Sequence, residues 1–350
     1  MTHAITRRSA LVAVSGAVLV PSSIAAATPP GLERVQRATA DSRVIPSLTT
    51  DATTGTLIDR LTWGAYAPRE PFPDCSEHHA LEALVGTRFE VMSWFLTWSV
   101  SWPRAGGLDA AAGGYDVQIA WQPELDDDTP IRFADVLAGV HDDYLVRFFT
   151  RAAAHPGRVT IRFAHEMNGS GYPWSVGYRG SGPGCLTSVE EYITVWRYLV
   201  RFQRSLGARN IRWAWCITTS DKGGIPAEDY YPGSDVVDVL AADVYVGYGG
   251  GWQSPGRAVQ RVYDRLTPLH PSAPVWLSEL GCREPSKDEP GAPPDPRRDK
   301  ARWLEEFFGL TGFPRLSAAC FFNASRAFDW RLESSPGALA AARQAFERRS

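Results

Sequence analysis

Beyond its N-terminus the chain has no run of about 18 apolar residues, so nothing in it reads as a membrane span. It lacks any Cys-x-x-Cys or His-x-x-x-His pair, which removes the common zinc arrangements. His165-Glu166 superficially suggests a zincin helix, but position 169 is Gly where the second His would stand. No Gly-x-Gly-x-x-Gly follows the first expected strand, and the usual dinucleotide site goes with it. Charge of neither sign dominates: 36 Lys and Arg face 39 Asp and Glu, a net charge of -3, and the scattered cations give no nucleic-acid footprint. No metal and no cofactor are therefore expected, and the protein is expected to be a monomer without nucleic-acid partners. The five cysteines are an odd number. Cys216 and Cys320 lie in apolar runs and read as core, whereas Cys75, Cys185 and Cys282 read as loop residues among which export would permit one disulfide.

What the chain has in excess is tryptophan, thirteen in 350 residues. Indole faces suit stacking on sugar rings, although ordinary packing must account for most of them. The N-terminus reads as an address. Arg7-Arg8 precedes an apolar segment, Ala10 to Val20, and then small residues ending Ala25-Ala26-Ala27, the pattern of a cleaved secretory signal over 1–27, with a twin-arginine route open. Residues 28–56 lack periodicity and read as a linker. Secretion, extracellular or to the cell wall, follows as an expectation, and 57–350 is left as one catalytic domain.

Eight apolar runs in that domain read as strands: Leu61 to Tyr66, Phe89 to Leu96, Val117 to Trp121, Val159 to His165, Ile211 to Cys216, Val237 to Val246, Pro274 to Glu279 and Leu316 to Phe322. Amphipathic segments separate several of them. The clearest is Val189 to Leu206, with Tyr192, Trp196 and Leu199 on one face, a Ser188/Glu191 capping box and Gly207 as the stop. This βαβ rhythm predicts an α/β fold, a single (β/α)8 barrel, whose working residues lie at the C-terminal strand ends.

Two strand ends break their own pattern. Val159 to Ala164 is apolar but for Thr160 and Arg162, then gives way to His165, Glu166 and Asn168 before a Gly- and Pro-rich loop bearing Tyr172 and Trp174. Val275 to Ser278 ends likewise in Glu279. Glu is seldom buried without a partner, so each acid is either a structural ion-pair member, Arg162 being one candidate, or part of a site. Two such acids on opposite sides of a barrel mouth favour the site. Other strand ends carry Trp94, Trp98 and Trp215, which either contact a saccharide or pack, and Asp243 and Tyr245, of which Asp243 is either a site residue or an ion-pair partner of Arg162 inside the barrel. Trp174, among Gly and Pro, is expected on an exposed loop lining a sugar subsite.

In this order the motifs resemble glycoside hydrolase family 26, the β-mannanase family. They are Arg-Phe-Ala-His-Glu-Met-Asn-Gly with Tyr172-Pro173-Trp174, Ile211-Arg-Trp-Ala-Trp, Tyr231-Pro232-Gly233 leading to Ala242-Asp243-Val244-Tyr245, Ser278-Glu279-Leu-Gly, and Asp329-Trp330-Arg331. The resemblance covers about Trp63 to Ala341. It implies Glu166 as general acid/base, Glu279 as nucleophile and Tyr245 as the tyrosine touching the nucleophile. It also implies a retaining endo-β-glycanase acting on a polysaccharide, β-1,4-mannan first and β-glucan, xylan or a cell-surface glycan otherwise, with a non-catalytic carbohydrate-binding barrel as the rival. A retaining pair stands about 5 Å apart, its acid raised in pKa and its nucleophile ionised. The chain departs from the family at Met92-Ser93-Trp94-Phe95, at Cys216 to Thr218 and at Phe321-Phe322-Asn323, departures that bear on substrate identity more than on reaction type.

Overall fold

The computed structural model describes residues 55–69, 71–248, 251–285, 295 and 297–349. The expected signal and linker fall outside the described residues, apart from Gly55 and Thr56.

Near-continuous apolar runs, buried on both faces, set eight strands: β1 Thr62–Tyr66, β2 Val91–Thr97, β3 Asp116–Gln122, β4 Val159–Phe163, β5 Ile211–Thr218, β6 Val239–Val246, β7 Val275–Cys282 and β8 Leu316–Phe322. They pair in parallel in sequence order, and β1 closes on β8 with Gly64 opposite Cys320, so the sheet is the expected closed barrel. Around it run α1 Leu57–Arg60, α2 Ser76–Val85, α3 Arg104–Ala112, α4 Phe133–Leu137, α5 Asp142–Ala153, α6 Val189–Ser205, α7 Pro255–Leu266, α8 Lys300–Phe308 and α9 Pro336–Arg349. The hydroxyl of Ser188 caps α6 by accepting from the Glu191 amide at 3.2 Å.

The tryptophans are chiefly core. All but Trp102 and Trp252 are buried. Trp121 of β3 stacks on Phe148 of α5 at 4.3 Å, and Trp98 lies between Trp121 and Tyr144 at 4.9 and 5.0 Å, so a layer of rings welds strand to helix. The cysteines are also buried, and no disulfide forms among them. Cys75 and Cys185 do lie in loops, with buried thiols that donate to the Gly106 and Pro123 carbonyls at 3.4 and 3.3 Å; the loop reading is corrected for Cys282, which ends β7.

Two strands differ from expectation where it matters. β4 stops at Phe163, because Ala164 and Glu166 take φ of 45° and 54°, the left-handed region that non-glycine residues avoid at a cost of about 1–3 kcal/mol. β7 runs on past Glu279 to Cys282 and carries a bulge: Leu277 pairs with Ala242, but the next pair on β6 is Asp243 with Glu279.

Candidate active site

Both irregularities aim a carboxyl group at one cleft. At the end of β4 the strained turn is held by the Ala164 amide, which donates to the Trp121 carbonyl at 3.1 Å, and by the Glu166 amide, which donates to the Cys216 carbonyl at 2.9 Å. The loop beyond is tied to β5 by Asn168, whose carboxamide donates to the Thr218 carbonyl at 3.0 Å and to Asp221 at 2.8 Å and accepts from the Thr218 amide at 3.0 Å. On the β7 side Glu279 accepts from Arg162 Nη2 and from the Tyr245 hydroxyl, each at 2.5 Å. Arg162 also donates Nη1 to Asp243 at 2.6 Å, so one fully buried guanidinium is shared by two carboxylates. Gly281 admits this packing, since a Cβ there would stand 2.7 Å from the Tyr245 ring and 3.1 Å from Trp330.

The cleft has a volume of about 400 Å³ and is lined by Glu166, Glu279, Tyr66, Phe95, Gln122, Tyr172, Tyr245, Phe322 and Arg326. Its two acids sit in unlike surroundings. Burial, and then the charge of Glu279, raise the Glu166 pKa to about 7 against the opposing pull of Arg162 and Thr218. The Tyr245 hydroxyl is pushed well above its usual range by burial and by Glu279, so it stays a donor. For Arg162 burial works against the charge, but Asp243 and Glu279 prevail and raise its pKa well above the usual value. Burial followed by Arg162 lowers His165 well below its usual value, which leaves the imidazole neutral. His165, Asp243 and Glu279 bring ligand-type atoms within 4.8 Å of one another. Arg162 already donates to both acids there, and its charge opposes a cation.

Residues 154–262 match the family model described as glycosyl hydrolase family 26. Endoglucanase H of Acetivibrio thermocellus is 27% identical over 312 residues, a match that takes in 86% of this chain. Over residues 154–262, then, the chain is similar to glycosyl hydrolase family 26. It spans about a third of the length of that curated relative, 32%. Two solved structures share the fold. A family 26 β-mannanase from Bacteroides ovatus is 18% identical with a TM-score of 0.52, covering 83% of this chain and 89% of that one. The catalytic domain of a Bacillus sp. family 26 endo-β-1,4-mannanase is 14% identical with a TM-score of 0.57, covering 82% and 86%.

Within this barrel, the expected site residues separate into three groups. Glu166, Glu279, Tyr172 and Tyr245 line the cleft. Arg162, Asp243, His165 and Asn168 lie behind it as buried supports rather than on its wall: the first two brace Glu279, the third packs between Phe95 and Tyr172, and the fourth fastens the β4 loop. Trp94, Trp98, Trp174 and Trp215 do not line the cleft. Trp94 meets Trp102 edge-on, Trp98 joins the Trp121 layer, and Trp215 meets Tyr231 edge-on. Trp174, expected to be exposed, is fully buried: its ring stacks on Tyr172 at 4.5 Å and its Nε1 donates to the His165 carbonyl at 2.6 Å. Missed were Tyr66, Phe95, Gln122, Phe322 and Arg326. Tyr66, Gln122 and Phe322 are the last residues of β1, β3 and β8, so applying the strand-end rule to every strand finds them. Arg326 sits in the loop after β8 and left no signal.

Two predictions follow from these positions. Trp174→Ala empties a fully buried site and should cost about 3–5 kcal/mol in denaturant unfolding; a loss under about 1 kcal/mol would return the ring to the surface. The raised Glu166 carboxyl costs nothing below its unfolded value, where both states hold the proton. It costs most above about 7, where the folded protein must bury a charge. Glu166→Gln should therefore raise the melting temperature at pH 8 and leave it nearly unchanged at pH 4, and an equal shift at both would contradict the assigned burial.

Proposed function

We propose that this chain is a secreted retaining endo-β-glycanase that hydrolyses β-1,4-mannan by double displacement, with Glu166 as acid/base and Glu279 as nucleophile. The observation that carries the reading is the pairing of two carboxyls in one cleft, one raised to about 7 and the other held by Arg162 and Tyr245. In the first step a Glu279 oxygen bonds the anomeric carbon while Glu166 gives its proton to the departing glycosidic oxygen. Esterification removes the Glu279 charge, and with it one of the two causes that raise Glu166. Glu166 then ionises more readily, takes a proton from water, and the hydroxide released to the anomeric carbon frees Glu279 with retained configuration. Arg162 and Tyr245 hold the attacking carboxylate in line throughout, so little reorganisation is needed at each step.

Mannan is the first substrate to test because the likeness in fold is to enzymes named as mannanases. A second reading, β-glucan, has its own support: the relative with the higher identity, 27%, is named an endoglucanase. Export rests on the Arg7-Arg8 segment and the small residues up to Ala27.

Glu279→Ala removes the attacking atom and should lower turnover on every substrate by about 10⁴-fold or more. Glu166→Ala should retain hydrolysis of an aryl glycoside with an activated phenol, and added azide should accelerate it with formation of the β-azide. The wild-type product on mannan or β-glucan, followed by NMR, should appear first as the β-anomer. An α-anomer formed first, or full activity in both alanine variants, would overturn the assignment.

A further inference from the structure

Gln118 is a polar side chain at the middle of β3, fully buried between Val117 and Ile119, and it does not touch the cleft. Its amide Nε2 donates to Ser93 Oγ of β2 at 2.9 Å and to the Ser278 carbonyl of β7 at 3.0 Å, and its Oε1 accepts from Ser278 Oγ at 2.8 Å. In the eight-strand ring β3 and β7 are four strands apart in either direction, so this carboxamide spans the barrel. It ends on the residue where the sheet is irregular. On the β6 side the pairing skips Ser278 and resumes at Glu279 with Asp243, and on the β8 side it passes from Leu277 with Ala319 to Leu280 with Phe321, so Ser278 has no partner on either side and Glu279 none on β8.

A regular strand sends consecutive side chains to opposite faces. Here Ser278 reaches Gln118 and Glu279 reaches Arg162 and Tyr245, all inside the barrel, so two neighbours face inward together. Only a bulge permits this, and a bulge in a closed barrel leaves backbone groups off the ladder that must be satisfied by other means. The Gln118 amide supplies that partner for the Ser278 carbonyl. We propose that Gln118 is a positioning residue for the nucleophile: by clamping Ser278 inward through both its carbonyl and its hydroxyl, it fixes the bulge that turns Glu279 toward Arg162, Tyr245 and the cleft. This rests on the reading of Glu279 as nucleophile.

Gln118→Met keeps comparable bulk and removes the donors and the acceptor. A carboxylate displaced by even about 1 Å from its line of attack loses about 100-fold in rate, so kcat on an activated aryl glycoside should fall by about that factor, with KM within about threefold. Ser278→Ala, a milder change, should lower kcat by about 10-fold, and the double variant should be no worse than Gln118→Met alone, since both break one clamp. In the crystal structure of either variant, Glu279 should have left Tyr245 or Arg162. Unchanged kcat in Ser278→Ala and Gln118→Met, or a variant structure with the bulge and both Glu279 contacts intact, would overturn the proposal. Should Gln118→Met not fold, Ser278→Ala decides by the same two readouts. A wild-type protein that cleaved no glycan would sink the functional reading, while the variant structures would still report whether Gln118 places Glu279.

Discussion

The barrel is organised around a guanidinium that has no access to water. Arg162 is completely buried, and such a cation persists only if acids within hydrogen-bonding distance offset its desolvation. Asp243 and Glu279 do so at 2.6 and 2.5 Å, drawing β4, β6 and β7 toward one point beneath the cleft. Removing one partner of such a pair costs about 3–5 kcal/mol, because the remaining charge is left stranded. Stability and the position of the β7 acid are therefore the same constraint. Asp243 is part of it in another way: burial pushes its carboxyl well above the usual range while Arg162 pulls it down, and the Cys216 thiol donates to it at 3.2 Å.

Around that centre the two acids are presented by two departures from regular backbone. The left-handed turn at Ala164 and Glu166 lifts one carboxyl out of the strand, and the bulge at Ser278 rotates the other inward. Each departure costs free energy locally and is held by partners from elsewhere in the barrel, the Trp121 and Cys216 carbonyls for the first and the Gln118 carboxamide for the second. Their separate environments follow. Glu166 is raised in pKa first by burial and then by the charge of Glu279, whereas Glu279 receives two strong donors. A pair of carboxyls made unlike in this way can divide the work of protonation and attack.

Much of this was legible in the sequence, because strand burial writes itself as an apolar run and an acid at its end is conspicuous. Val159 to Phe163 closing on Glu166, and Val275 to Ser278 closing on Glu279, gave both acids and the barrel. Side-chain direction was not legible. Gly169, Gly171 and Pro173 suggested an exposed loop, but Trp174 gains more by stacking on Tyr172 and bonding the His165 carbonyl than by facing water. Ser278 looks like any strand residue, since a bulge depends on partners 160 positions away in sequence. Gln118, an amide in the middle of an apolar strand, is a signal of the same kind as Arg162.

The central claim is that Glu279 attacks the sugar and forms a covalent intermediate. It is tested most directly by incubating the protein with a 2-deoxy-2-fluoro glycosyl fluoride of the substrate sugar and mapping the modified peptide by mass spectrometry. Stoichiometric labelling of Glu279, lost in Glu279→Ala and reversed slowly as the intermediate hydrolyses, is the predicted result. Labelling on another residue, or none while the enzyme turns over its glycan, would contradict the account.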